Sequence, residues 1–144
     1  MDKIKIAFEI NDSYNRQEFR DFIKLLSTNE PCELCKKYNA ELYIITTNTD
    51  QNFVFAVAKQ YNIDSAHIFM VTNIADKIAT IIDNKIEIMF DNNQPDVNSV
   101  NASTDAFSIL VDSTIDFYLM GFKYIKKFDN VLKIIENEKK EKTC

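Results

Sequence analysis

The side chains of this chain best suited to chemistry stand where apolar runs stop. The run Ile4-Lys5-Ile6-Ala7-Phe8 leads into Glu9, Asn11, Asp12 and Ser13, with no glycine to relax the turn. Leu42 to Ile45 leads into Thr46, Thr47 and Asn48, and Ile86 to Phe90 leads into Asp91 and Asn92. Lys77 lies fourteen residues ahead of Asp91. Carboxylates in such places attack electrophiles, move protons or bind hard cations, whereas hydroxyl, amide and ammonium groups hold phosphoryl oxygens. Ligands of open α/β sheets sit just beyond the carboxyl ends of the strands, so these polar strand ends form one candidate site if the strands are neighbours.

The elements needed to position them are readable from periodicity. Continuous apolar runs predict buried strands over Lys5 to Ile10, Leu42 to Thr46, His67 to Val71, Ile86 to Phe90 and Phe107 to Val111, with a short sixth at Tyr124 to Phe128. Phe19, Phe22, Ile23 and Leu26 fall on one helical face, predicting a helix over Arg16 to Leu26. Thr49 and Asp50 are suited to cap a helix over Gln51 to Tyr61, and Asn73 with Asp76 three residues on resembles a capping box for a helix ending at Asp83. Asp91-Asn92-Asn93-Gln94-Pro95 reads as a polar turn before a short helix near Val97 to Asn101, and Asp129 opens a last helix over Val131 to Lys139. Strands alternating with helices predict an α/β fold: a three-layer, Rossmann-like parallel sheet with helices on both faces.

The 144 residues suit one domain, 1–144, with 46% apolar residues to supply its core and a basic tail at about 138–144. A net charge of −5 argues against nucleic acid as a partner. No stretch approaches the roughly 18 apolar residues that span a bilayer, so no membrane is expected. Three cysteines, an odd number, suit a reducing compartment, and a cytoplasmic location is expected.

The order of the polar strand ends resembles the haloacid dehalogenase-like (HAD) superfamily of phosphohydrolases. In that family an apolar strand ends Asp-x-Asp-x-Thr, the next ends in Thr or Ser, a Lys follows, and a later strand ends in an acidic pair. The resemblance runs from Ile4 to about Ile135 and implies a capless member. It places Glu9 at the nucleophile position, Asn11 at the acid/base position and Ser13 at the first threonine. Thr47 (or Thr46, the register being open by one), Asn48 and Lys77 take the phosphate-holding positions, and Glu9, Asp91 and Asn92 the Mg²⁺ positions. Glu9 is one methylene too long, and a misplacement of about 1 Å costs on the order of 100-fold in rate. Asn11 does not titrate and cannot shuttle a proton. Mg²⁺ binding is therefore expected to be weakened or lost. The resemblance implies a degenerate domain that binds a small phosphorylated ligand or a protein partner. The alternative is an active Mg²⁺-dependent phosphatase with an atypical first motif; a receiver-like domain is a third reading.

Other residues have plainer explanations. Cys32 and Cys35 form a C-x-x-C with no second pair to complete a zinc site. His67 opens a buried strand, as a structural histidine does. Asp112, Ser113 and Asp116 suit turn chemistry, and Phe117, Tyr118, Leu119, Met120 and Phe122 suit core.

Overall fold

The computed structural model of the protein describes residues 5–11, 17–27 and 41–111. Its centre is a parallel sheet of β1 (Lys5–Phe8), β2 (Glu41–Thr46), β3 (Ile68–Met70), β4 (Ile88–Asp91) and β5 (Phe107–Leu110), in the spatial order β3-β2-β1-β4-β5. Four helices connect these strands: α1 (Gln17–Ser27), α2 (Gln51–Gln60), α3 (Ile74–Asp83) and α4 (Gln94–Ser103). The three-layer, Rossmann-like α/β architecture expected from the alternating pattern is the one observed.

Strand alternation explains the layers. Ile6 and Phe8 of β1 face one side with Ile44, Ile88 and Phe90, where Phe19 and Ile23 of α1 and Val54, Val57 and Ala58 of α2 pack on them. Ala7 faces the other side with Tyr43, Ile45 and Met89, against Ile81 of α3 and Val100 of α4. The chain winds from β1 out to β3, then returns past β1 to β4 and β5. Right-handed crossovers in opposite directions place their helices on opposite faces. The reversal falls between β1 and β4, whose register pairs Phe8 with Phe90 and Ile6 with Ile88. The ends of β1, β2 and β4 are therefore adjacent, and the connections leaving β1 and β4 part to opposite faces.

Helix ends differ from the expectation in informative ways. α2 and α3 both close in Schellman motifs: Ile63 N donates to Ala58 O (2.8 Å) and Asn62 N to Lys59 O (3.3 Å), as Ile86 N does to Ile81 O (3.0 Å) and Lys85 N to Ile82 O (3.1 Å). The left-handed residues are Asn62 (φ 56°) and Lys85 (φ 55°), in places where glycine is usual. Ile86 thus belongs to the exit from α3, and β4 runs from Ile88 to Asp91, later than expected. The helix after β4 is longer than expected, ten residues with Asn93 as N-cap and Pro95 in its first turn. β1 ends at Phe8, two residues early, although Glu9 N still donates to Phe90 O (2.8 Å). The expected sixth strand, the last helix, the basic tail, the cysteines, Asp112, Ser113, Asp116 and the Phe117 to Phe122 cluster lie outside the described residues.

Candidate functional site

Four of the expected side chains meet at the carboxyl edge. α3 follows β3 and so begins at that edge; helical side chains tilt toward the helix N-terminus. Lys77, the residue directly after Asp76 and the fourth of α3, therefore reaches back over the ends of β1 and β4. Its ammonium lies 2.8 Å from Asp91 Oδ2, 2.7 Å from Asp96 Oδ2 and 3.4 Å from Glu9 Oε2. Lys77 is 1% exposed, Glu9 1% and Asp91 0%, whereas the Asp96 side chain is 22% exposed.

Each carboxylate is fixed by a second set of donors. Thr46 Oγ1 donates to Glu9 Oε1, and the Thr47 amide donates to Glu9 Oε2 (3.1 Å). The Asn93 amide donates to Asp91 Oδ1 (3.0 Å). The Asn48 amide donates to Thr46 Oγ1 (3.0 Å), and Asn11 Nδ2 donates to Thr47 Oγ1 (2.9 Å). The open register resolves into two roles: the Thr46 hydroxyl enters the cluster, and the Thr47 hydroxyl meets Asn11. Asn48 and Asn92, the residues after Thr47 and Asp91, are half-buried, and Asn48 Oδ1 accepts from the Asp50 amide (2.9 Å). Ser13 lies outside the described residues. Asp96 was not foreseen; it belongs to the first turn of α4, one residue beyond what reads as the polar turn.

Electrostatics set the protonation states. Burial pushes the Glu9 carboxyl above its ordinary value of 4.5; the Thr46 hydroxyl, the Lys77 charge and the Thr47 amide pull it back without cancelling the rise. Burial lowers Lys77, but the hydrogen bonds to Asp91 and Asp96 outweigh it and leave the ammonium above its ordinary value. A lysine raised in the folded state stabilises the fold fully below its unfolded value and loses that contribution as pH rises through the folded one. A carboxyl raised in the folded state likewise loses its contribution as pH rises from about 4.5 through the folded value. Melting wild type and Glu9→Gln side by side from pH 5 to pH 8 is expected to show the wild type losing ground to the variant as pH rises. A gap that is constant or widens the other way would contradict this assignment for Glu9.

The charge pattern constrains what binds. Three carboxylates surround one ammonium, and the N-termini of α2, α3 and α4 are closed by their own side chains: Asp50 accepts from Phe53 N (3.1 Å), Asn73 from Asp76 N (2.9 Å) and Asn93 from Asp96 N (3.0 Å). Among the described residues no group of three or more His, Cys, Asp or Glu is disposed to hold a metal ion. The Lys77 ammonium occupies the position between Glu9 and Asp91 that a bound cation would take, so the side chains as arranged do not fit Mg²⁺.

Two other features are structural. His67 Nδ1 faces Leu42 O (3.1 Å) and Nε2 faces Glu41 Oε1 (3.2 Å), with the ring stacked on Tyr43 at 4.2 Å. It pins the start of β3 to the start of β2, away from the carboxyl edge. A polar groove of about 320 Å³ lies between α1 and the end of α2, lined by Gln17, Arg20, Asp21, Lys24, Gln60 and Tyr61. Its polar groups bond one another, as Gln17 Nε2 does with Asp21 Oδ1 (2.7 Å). Among the described residues no helix is long and apolar enough to cross a membrane.

No protein-family model matches the chain, and no curated protein sequence is similar to it. A solved structure of a universal stress protein in complex with cAMP is similar at 10% sequence identity, with a TM-score of 0.49, over 79% of this chain and all of that one. The kinship with HAD phosphohydrolases expected from the sequence does not stand: no family model supports it, and the similar solved structure named above is a universal stress protein. With it fall both readings built on it, a domain descended from a phosphohydrolase and an active Mg²⁺-dependent phosphatase. The physical reason is that buried parallel strands must end in polar residues. A pattern already missing two of its acidic positions is easily met by such ends.

Proposed function

We propose that the carboxyl edge holds a small phosphorylated molecule, its phosphate on the Lys77 ammonium and its uncharged polar part against Asn11, Asn48 and Asn92. One observation carries this reading: the buried Lys77 ammonium stands at the reversal point between β1 and β4, where doubly wound sheets take their ligands. An ammonium in that place is a charge-assisted donor to a phosphate oxygen where one of its carboxylates gives way, and carboxamides hydrogen-bond hydroxyls and base edges without adding charge. The ligand is held and not cleaved: Glu9 is engaged by Thr46, Thr47 and Lys77, and Asn11 cannot carry a proton. A cytoplasmic setting suits the odd cysteine count.

Calorimetry with ribose 5-phosphate, glucose 6-phosphate and AMP, each beside its dephosphorylated parent, tests this. The phosphorylated forms are expected to bind with Kd below about 1 mM, and the parents at least about tenfold more weakly, a difference of about 1.4 kcal/mol. Affinity is expected to be unchanged by Mg²⁺. Equal binding of the parents, or binding that requires Mg²⁺, would contradict phosphate contact with Lys77.

A further inference from the structure

The three carboxylates around Lys77 are not equivalent. Asp91 is fully buried and its second oxygen receives the Asn93 amide, and Glu9 is buried and receives Thr46 and Thr47. Asp96 is different. Its side chain reaches solvent, and among the described residues the Lys77 ammonium is the one partner of its carboxylate. It hangs from the first turn of α4, so rotation about its side-chain bonds alone carries it from the ammonium into water. Of the three carboxylates on Lys77 it is the one that solvent reaches, since Glu9 and Asp91 are buried.

An anion approaching Lys77 from outside therefore meets a position already filled by an anion of the chain's own. We propose that Asp96 is a displaceable internal anion, which rests on the Lys77 ammonium until the phosphate of a phosphate monoester exchanges with it. This rests on the reading of the edge as a phosphate site and adds its control: affinity is set by the competition between ligand and Asp96, and the ammonium is never left bare in the buried cluster. Exchange swaps one charge-assisted hydrogen bond for another, so no bond is made or broken. The site then discriminates against weak anions, which do not outcompete a tethered carboxylate.

Titration of ribose 5-phosphate and of inorganic phosphate into wild type and Asp96→Asn, as full chains, tests the exchange. The amide keeps the shape of Asp96 and removes the competing charge, so the variant is expected to bind both at least about tenfold more tightly, about 1.4 kcal/mol. Should wild type bind and Asp96→Asn bind equally or more weakly, Asp96 is not a competitor and the exchange is wrong, while the phosphate site stands. Should neither protein bind either probe, the phosphate site fails and the exchange with it. Carboxyl-carbon NMR on wild type gives a reading that needs no variant: saturating ribose 5-phosphate is expected to move the Asp96 signal toward that of a solvated carboxylate while Asp91 stays near its place. An Asp96 signal unmoved by bound ligand would overturn the proposal.

Discussion

Replacing Lys77 with methionine is expected to cost about 3–5 kcal/mol of stability, the usual result of removing one partner from a buried ion pair. A domain of this kind is held by only about 5–15 kcal/mol in total, so the variant should be partly unfolded at room temperature or melt many degrees lower. The size follows from burial. Glu9 and Asp91 are almost wholly removed from water, and without the ammonium two carboxylates are left facing each other in a medium that solvates them poorly. Asp96 contributes less to the loss because it can turn outward. The same reasoning gives a rescue: Lys77→Met combined with Glu9→Gln and Asp91→Asn should recover most of the lost stability, because the charges that needed compensation are gone. Urea melts of the three proteins measure this directly. A single variant as stable as wild type would mean that Lys77 is not buried among carboxylates.

Phe8→Ala is the second large expected loss, again about 3–5 kcal/mol. Phe8 is fully buried as the last residue of the central strand; its ring stacks on Phe90 (5.5 Å, 13°) and meets Phe19 edge-on (6.0 Å, 71°). Truncation removes contacts with both neighbours and leaves a hole between β1, β4 and α1 that the sheet cannot close without shifting its register. Phe8 also adjoins Glu9, so relaxation around the hole would loosen the ion cluster. Phe8→Leu, which keeps much of the volume, should lose clearly less. Denaturant melts separate the two, and an alanine variant within about 1 kcal/mol of wild type would show that this core is not packed as described.

Much of this was legible in the residues themselves. Continuous apolar runs marked every described strand, and their polar ends named Glu9, Asn11, Thr47, Asn48, Asp91 and Asn92, together with Lys77 upstream of Asp91, as a group worth placing. Asn73 with Asp76 signalled the start of α3, and with it the place of the lysine just beyond. Asp96 escaped for a specific reason. Pro95 read as the end of a turn, yet proline is well accommodated in the first turn of a helix. Asn93 with Asp96 repeats the spacing of Asn73 with Asp76, and that repeat was the signal that could have found both the cap and the residue. The start of β4 was misplaced because Lys85 takes a left-handed conformation without the glycine that usually announces one. The family reading failed because short polar motifs at strand ends are demanded by the fold itself. They report where a ligand edge lies far better than which lineage built it.

The account turns on where the Lys77 ammonium sits and what it meets when ligand arrives. A crystal structure of the protein with ribose 5-phosphate measures both at once. It should show Lys77 Nζ still in contact with Asp91, a phosphate oxygen within hydrogen-bond distance of Nζ, and the Asp96 carboxylate turned into solvent. Phosphate bound elsewhere, with Nζ still enclosed by Glu9, Asp91 and Asp96, would contradict it.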